Sequence, residues 1–157
     1  MNVDMLLNNR YIKWILWTTF ILYLLILSKI IIIKHYPFTI VLEGINNFNL
    51  ERRIFYSNFV PFKGIFNYYN IKITLVNVLG NIIIFIPLGF LLPLVIEKSI
   101  KIRSIIIIGI IISLLLEVTQ FITGLGYFDI NDIFLNNIGT VIGGIVYRKI
   151  ISIYFNH

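Results

Sequence analysis

The chain contains no cysteine, which excludes disulfide staples, thiolate zinc sites and cysteine nucleophiles. It is also short of charge. Asp, Glu, Lys and Arg make up 13% of its 157 residues, about half the share usual in a soluble domain. Histidine occurs twice, and His35 and His157 stand alone in polar stretches, where a solvated side chain is the ordinary reading. That leaves no support for a Ser-His-Asp hydrolase or a histidine zinc site. No low-complexity linker or internal repeat interrupts the sequence, so one domain over 1–157 is expected.

What is there is apolar. Hydrophobic residues reach 59% and the mean hydropathy is +0.93, more apolar surface than a soluble protein of this size can bury. The formal net charge of +6 falls in small groups beside the apolar runs rather than in one basic stripe. The basic residues therefore read as membrane-flanking anchors, and no nucleic-acid partner is expected.

The first apolar run, Trp14 to Ile33, is long enough to cross a hydrocarbon core of roughly 30 Å at about 1.5 Å per residue. Arg10 and Lys13 precede it as in a signal peptide, but no small-residue cleavage site follows, so it reads as an uncleaved anchor with Lys29 able to snorkel. Further runs cover Leu75 to Ile96, Ser104 to Thr123 and Ile133 to about Tyr154. The last must carry Arg148 and Lys149 toward the headgroups if it spans. The fold class expected is all-α: an integral membrane helical bundle of about four transmembrane helices.

Orientation follows from the basic residues. Lys98, Lys101 and Arg103 lie between the second and third runs, whereas Gly124 to Asn131 holds no basic residue. This puts the first loop inside, together with both termini. The segment from Lys34 to Lys72 then lies outside despite its five basic residues, a placement that long loops tolerate. Within it, "IFYSNFVPFKGIFNYY" (54–69) interleaves aromatics with Asn and Lys, which suits an extracytoplasmic interfacial segment. A re-entrant turn at Pro61 is the competing reading.

The polar residues inside the runs are the functional candidates. Glu117 lies thirteen residues beyond Ser104, about 20 Å along the helix, with Gln120 one turn on. Asn77 and Asn81 share a face of the second run, and Asp132 and Asn136 a face of the fourth. All occupy one depth toward the outer side. An ionised carboxylate in a span costs roughly 2.5 to 3.5 kcal/mol at the bilayer centre, so Glu117 is expected to face the bundle interior. Asp129 and Asp132 also suit the N-cap and third position of the fourth helix, and Asn77, Asn81 and Gln120 can serve as interhelical glue. Gly139 and Gly143, with Gly144 beside them, allow close backbone approach, while Pro87 and Gly89 are expected to bend the second helix.

These pieces resemble the VanZ-like membrane proteins over 58–144. The matching residues are "NFVPF" (Asn58, Pro61, Phe62), "NVLGNIIIFIPLG" (Asn77, Gly80, Asn81, Phe85, Pro87, Gly89), "EVTQ" (Glu117, Gln120) and "DINDIFLNNIGTVIGG" (Asp129, Asp132, Asn136, Gly139, Gly143). The chain departs from many relatives at Leu125 and Gly126, where they carry arginine, and at Asn131, where they carry aspartate. The resemblance implies a multi-pass protein of the bacterial cell envelope, in a family whose founding member is linked to resistance to the glycopeptide teicoplanin.

Two functional classes follow. In the first, the outer polar layer binds or modifies a cell-wall or lipid-linked component. Catalysis would use Glu117 as general acid or base, with Asp132 and Asp129 orienting it or stabilising charge, and Asn77, Asn81, Gln120 and Asn136 contacting substrate. A variant holds Mg²⁺ or Ca²⁺ on Glu117, Asp129 and Asp132. In the second, a non-enzymatic bundle docks on a larger envelope protein through its glycine face and aromatic segment. A transporter is weaker, because the polar residues lie at one depth only.

Overall fold

A computed structural model describes residues 9–32, 48–64, 71–96 and 100–155. Residues 65–69 of the aromatic segment, His35, His157 and Lys98 lie outside them. Five helices are present among the described residues: α1 (Arg10–Ile32), α2 (Leu50–Tyr56), α3 (Ile71–Ile96), α4 (Ile102–Thr123) and α5 (Ile130–Phe155). The one β-type pairing there is an isolated bridge, Asn58 with Asp129.

Three helical stretches are long and apolar enough to cross a membrane: Arg10–Ile31, Ile71–Ile96 and Ile102–Thr123. Helix α5 is as long as α3, at 26 residues, but is not among them by composition. Asn131, Asp132, Asn136, Asn137, Arg148 and Lys149 lower its hydropathy. Its surface tells a different story. Between 134 and 146 its exposed residues are Phe134, Ile138, Ile142, Ile145 and Val146, because its polar side chains turn toward α3 and α4.

Helices α3 and α5 run parallel with their backbones in contact. A Cβ built on Gly139 would overlap the carbonyl oxygen of Ile82, and one on Gly143 that of Ile86. From the other side, a Cβ on Gly89 would overlap the carbonyl of Thr140. Glycine is needed at these positions for close approach, the usual basis of helix association where lipid removes the hydrophobic drive. Gly144 faces Ile102 and Ile105 of α4 instead. The glycine face expected to dock an external partner is thus filled from within, since α3 needs it to reach α5.

Helix α3 continues through Pro87 and Pro93. Proline removes a helical N–H and crowds the preceding turn, and here Tyr23 of α1 places its hydroxyl beside that turn, donating to the Ile84 carbonyl at 2.8 Å. Helix α1 otherwise packs through Phe20 and Leu27, which join Phe85, Leu88, Leu92 and Ile105 in the core.

Candidate functional site

The polar end of the bundle is where α1 and α4 finish and α3 and α5 begin. Helix α4 ends at Gly124, whose φ of 78° is the left-handed conformation that glycine adopts freely. Six residues on, α5 starts with Asp129 as its cap: Asp129 Oδ1 accepts the Asn131 backbone N–H at 2.8 Å, as expected for an aspartate at that position. Helix α5 therefore begins three residues before the apolar run suggested.

Glu117 is 2% exposed, and its Oε2 accepts the backbone N–H of Asp129 at 3.0 Å. Asn81 Nδ2 donates to Asp132 Oδ1 at 2.6 Å, joining α3 to α5. Gln120 Nε2 donates to the carbonyl of Ile31 in the last turn of α1 at 2.9 Å. Asn136 Nδ2 donates to Ser113 Oγ at 2.8 Å, joining α5 to α4. These contacts bring together five of the residues singled out from the sequence. Asn81, Glu117, Gln120, Asp132 and Asn136 line one cavity of about 150 Å³, walled on its apolar side by α1 and α3. Asn136 Oδ1 and Asn137 Oδ1 are buried with no hydrogen-bond partner among the described residues.

Asn77 and Asp129 lie elsewhere. They line a wider neighbouring cavity of about 460 Å³, with Asn58, Lys63, Asn131 and Tyr56. Asp132 lines both. The Asp129 side chain is engaged structurally, since besides capping α5 it accepts Asn58 Nδ2 at 3.0 Å. No group of three or more His, Cys, Asp or Glu among the described residues could hold a metal ion. The Mg²⁺ or Ca²⁺ arrangement of Glu117, Asp129 and Asp132 is therefore not assembled: Asp129 turns to the α5 cap and away from the inner cavity.

Residues 57–64 close the polar end. Asn58 N–H donates to the Phe128 carbonyl at 2.7 Å, and the Asn58 carbonyl accepts from Ile130 N–H at 2.9 Å. Asn131, 4% exposed, accepts Phe62 N–H at 2.7 Å and donates to the Lys63 carbonyl at 2.9 Å. Phe62 has a φ of 64°, a conformation costly for a bulky residue. That clasp holds it, with Phe62 stacked on Phe134 at 5.5 Å.

Sequence reasoning missed three participants. Ser113 is fully buried and stands one turn before Glu117, so the stripe Ser113, Glu117, Gln120 at helical spacing was the available signal. Asn131 carried only its departure from the aspartate of relatives. Arg53, 8% exposed, donates to the Phe121 carbonyl in the last turn of α4 and lies 4.8 Å from the Phe48 ring centre. A cation at a helix C-terminus is favourable, but nothing in the run "LERRIFY" marks Arg53 over Arg52.

Long apolar helices with polar side chains gathered between them define a helical membrane protein. The VanZ/LLP1 family model matches residues 20–153, most of the chain, and the protein belongs to that family. No curated protein and no solved structure gives a match.

Proposed function

We propose that the chain is a four-span protein of the bacterial cell envelope, with both termini cytoplasmic, whose outward-facing polar cavity binds or modifies a cell-wall or lipid-linked component. The apolar stripe Phe134, Ile138, Ile142 and Ile145 supports α5 as the fourth span. One observation carries the site: side chains from α3, α4 and α5 converge on a single cavity, although each costs free energy in an apolar segment. The carboxylates of Glu117 and Asp132 and the amides of Asn81 and Gln120 line that cavity and suit a polar ligand. In the enzymatic form, Glu117 exchanges the proton and Asp132, held by Asn81, orients the substrate. Lower susceptibility to teicoplanin is one consequence such an activity would have.

The test is Glu117→Gln, which keeps the size and most hydrogen bonds while removing the charge. Normal insertion with loss of the teicoplanin phenotype is expected; a fully active variant would remove the main catalytic candidate. Orientation is checked by thiol labelling of intact cells, with Ser57→Cys and Gly126→Cys reacting from outside and Ser99→Cys protected.

A second reading, assembly on a larger envelope protein, is supported by Phe55 and Phe62, which are 81% and 70% exposed. It requires that Phe55→Ala and Phe62→Ala abolish the phenotype while Glu117→Gln does not.

A further inference from the structure

Of the five glycines in the family-like motifs, four are explained by packing, Gly144 against Ile102 and Ile105 of α4. Gly89, Gly139 and Gly143 each press on the backbone of the facing helix. Gly80 does not. Among the described residues, nothing lies within 4 Å of a Cβ built there. It is exposed, its φ is not in the left-handed region, and it stands inside α3, where glycine is disfavoured relative to alanine. Packing among the described residues gives the missing side chain no role.

Gly80 lines the inner polar cavity between Val76 and Ile84, each one turn away, and Ile30 and Ile31 of α1 line the same cavity. The wall toward lipid is therefore apolar, with a side chain absent at its middle. Val76 and Ile30 are 68% and 43% exposed. The cavity itself, at about 150 Å³, is smaller than the roughly 300 to 1,000 Å³ of sites that enclose a whole drug-sized ligand. A ligand seated there must leave most of itself outside.

We infer that Gly80 is a lateral window, and that the ligand is a membrane amphiphile whose head enters the polar cavity while its hydrocarbon chain leaves over Gly80, between Val76 and Ile30, into the bilayer. The head is polar and carries hydrogen-bond donors, matched to the carboxylate and amide side chains that line the cavity. This inference rests on reading the inner cavity as a binding site, and it makes the ligand lipid-borne and entry sideways rather than from the aqueous face.

The test uses the full chain in nanodiscs containing phosphatidylglycerol with a photoactivatable diazirine on its headgroup. A parallel arm uses phosphatidylcholine nanodiscs with soluble glycerol phosphate bearing the same group. Irradiation and peptide mapping are expected to place the lipid probe on residues 113–120 and 132–136. Labelling should fall in steps through Gly80→Ala and Gly80→Val to at least tenfold less in Gly80→Leu, with helical content and thermal unfolding retained. The graded series keeps the test decisive even where the largest substitution does not fold. Equal labelling in the folded variants, or labelling by the soluble probe as strong as by the lipid, would overturn the window and leave the cavity as a binding site. No cavity labelling by either probe in the wild-type chain would sink the binding-site reading along with the window.

Discussion

Asn81 and Asp132 lie 2.6 Å apart, Nδ2 to Oδ1, on two helices that run parallel. The bond fixes the rotation of α3 against α5 at the depth of the polar cavity and holds Asp132 where both cavities meet. Hydrogen bonds to charged groups contribute about 1.5 to 3 kcal/mol. Asn81→Ala is therefore expected to lower stability by about 2 kcal/mol, measured by denaturant titration in detergent. Asn81→Asp, which sets a second carboxylate beside Asp132, should cost more. A stable Asn81→Asp protein would count against the contact.

The glycines separate into two kinds with opposite outcomes. Gly139→Ala and Gly143→Ala drive a methyl into the carbonyls of Ile82 and Ile86 and should each cost about 1 to 3 kcal/mol, the usual range for overpacking. Gly80→Ala meets nothing and should be neutral or stabilising by about 0.5 to 1 kcal/mol. Thermal unfolding of the three variants in one detergent would decide the matter.

Asn131 uses both ends of its amide, one as acceptor from Phe62 and one as donor to Lys63. Aspartate cannot donate when ionised. Asn131→Asp should therefore loosen the 57–64 segment, at a cost of about 0.5 to 1.5 kcal/mol for the lost bond, since the Lys63 carbonyl keeps its second donor, Asn58 Nδ2 at 3.0 Å. Faster hydrogen exchange at the Phe62 amide is the expected signal, and unchanged protection would show the clasp to be held by other contacts.

Tyr23→Phe removes the donor to the Ile84 carbonyl and keeps the ring. About 1 kcal/mol should be lost. Because α1 also depends on Gln120 for its last turn, Tyr23→Phe with Gln120→Ala should loosen α1 more than either alone, as followed by disulfide trapping between α1 and α3.

Much of this was legible beforehand, and for physical reasons. Hydropathy alone marks α1, α3 and α4, since a run of some twenty apolar residues has few other uses. The inward turn of Glu117, Asn81, Asp132 and Asn136 followed from the cost of polar groups in lipid. Depth was thus readable, but rotation was not. Asn77 shares a helix face with Asn81 at one-turn spacing, yet it opens into the neighbouring cavity. Its destination depends on how residues 57–64 pack, a contact some seventy residues long-range. The start of α5 was legible in Asp129 as an N-cap rather than in the apolar run, which begins only at Ile133. The glycines were read correctly as points of close approach, but which helix they approach is a tertiary matter.

The clasp between Asn58 and the Phe128–Ile130 strand of backbone has a bearing on biogenesis. Its first half leaves the ribosome long before its second half exists, so the polar end has to stay unlatched until the start of α5 has been synthesised. Chains that stop short of Phe128 would leave Phe62 without the support that keeps its backbone in an unfavourable conformation.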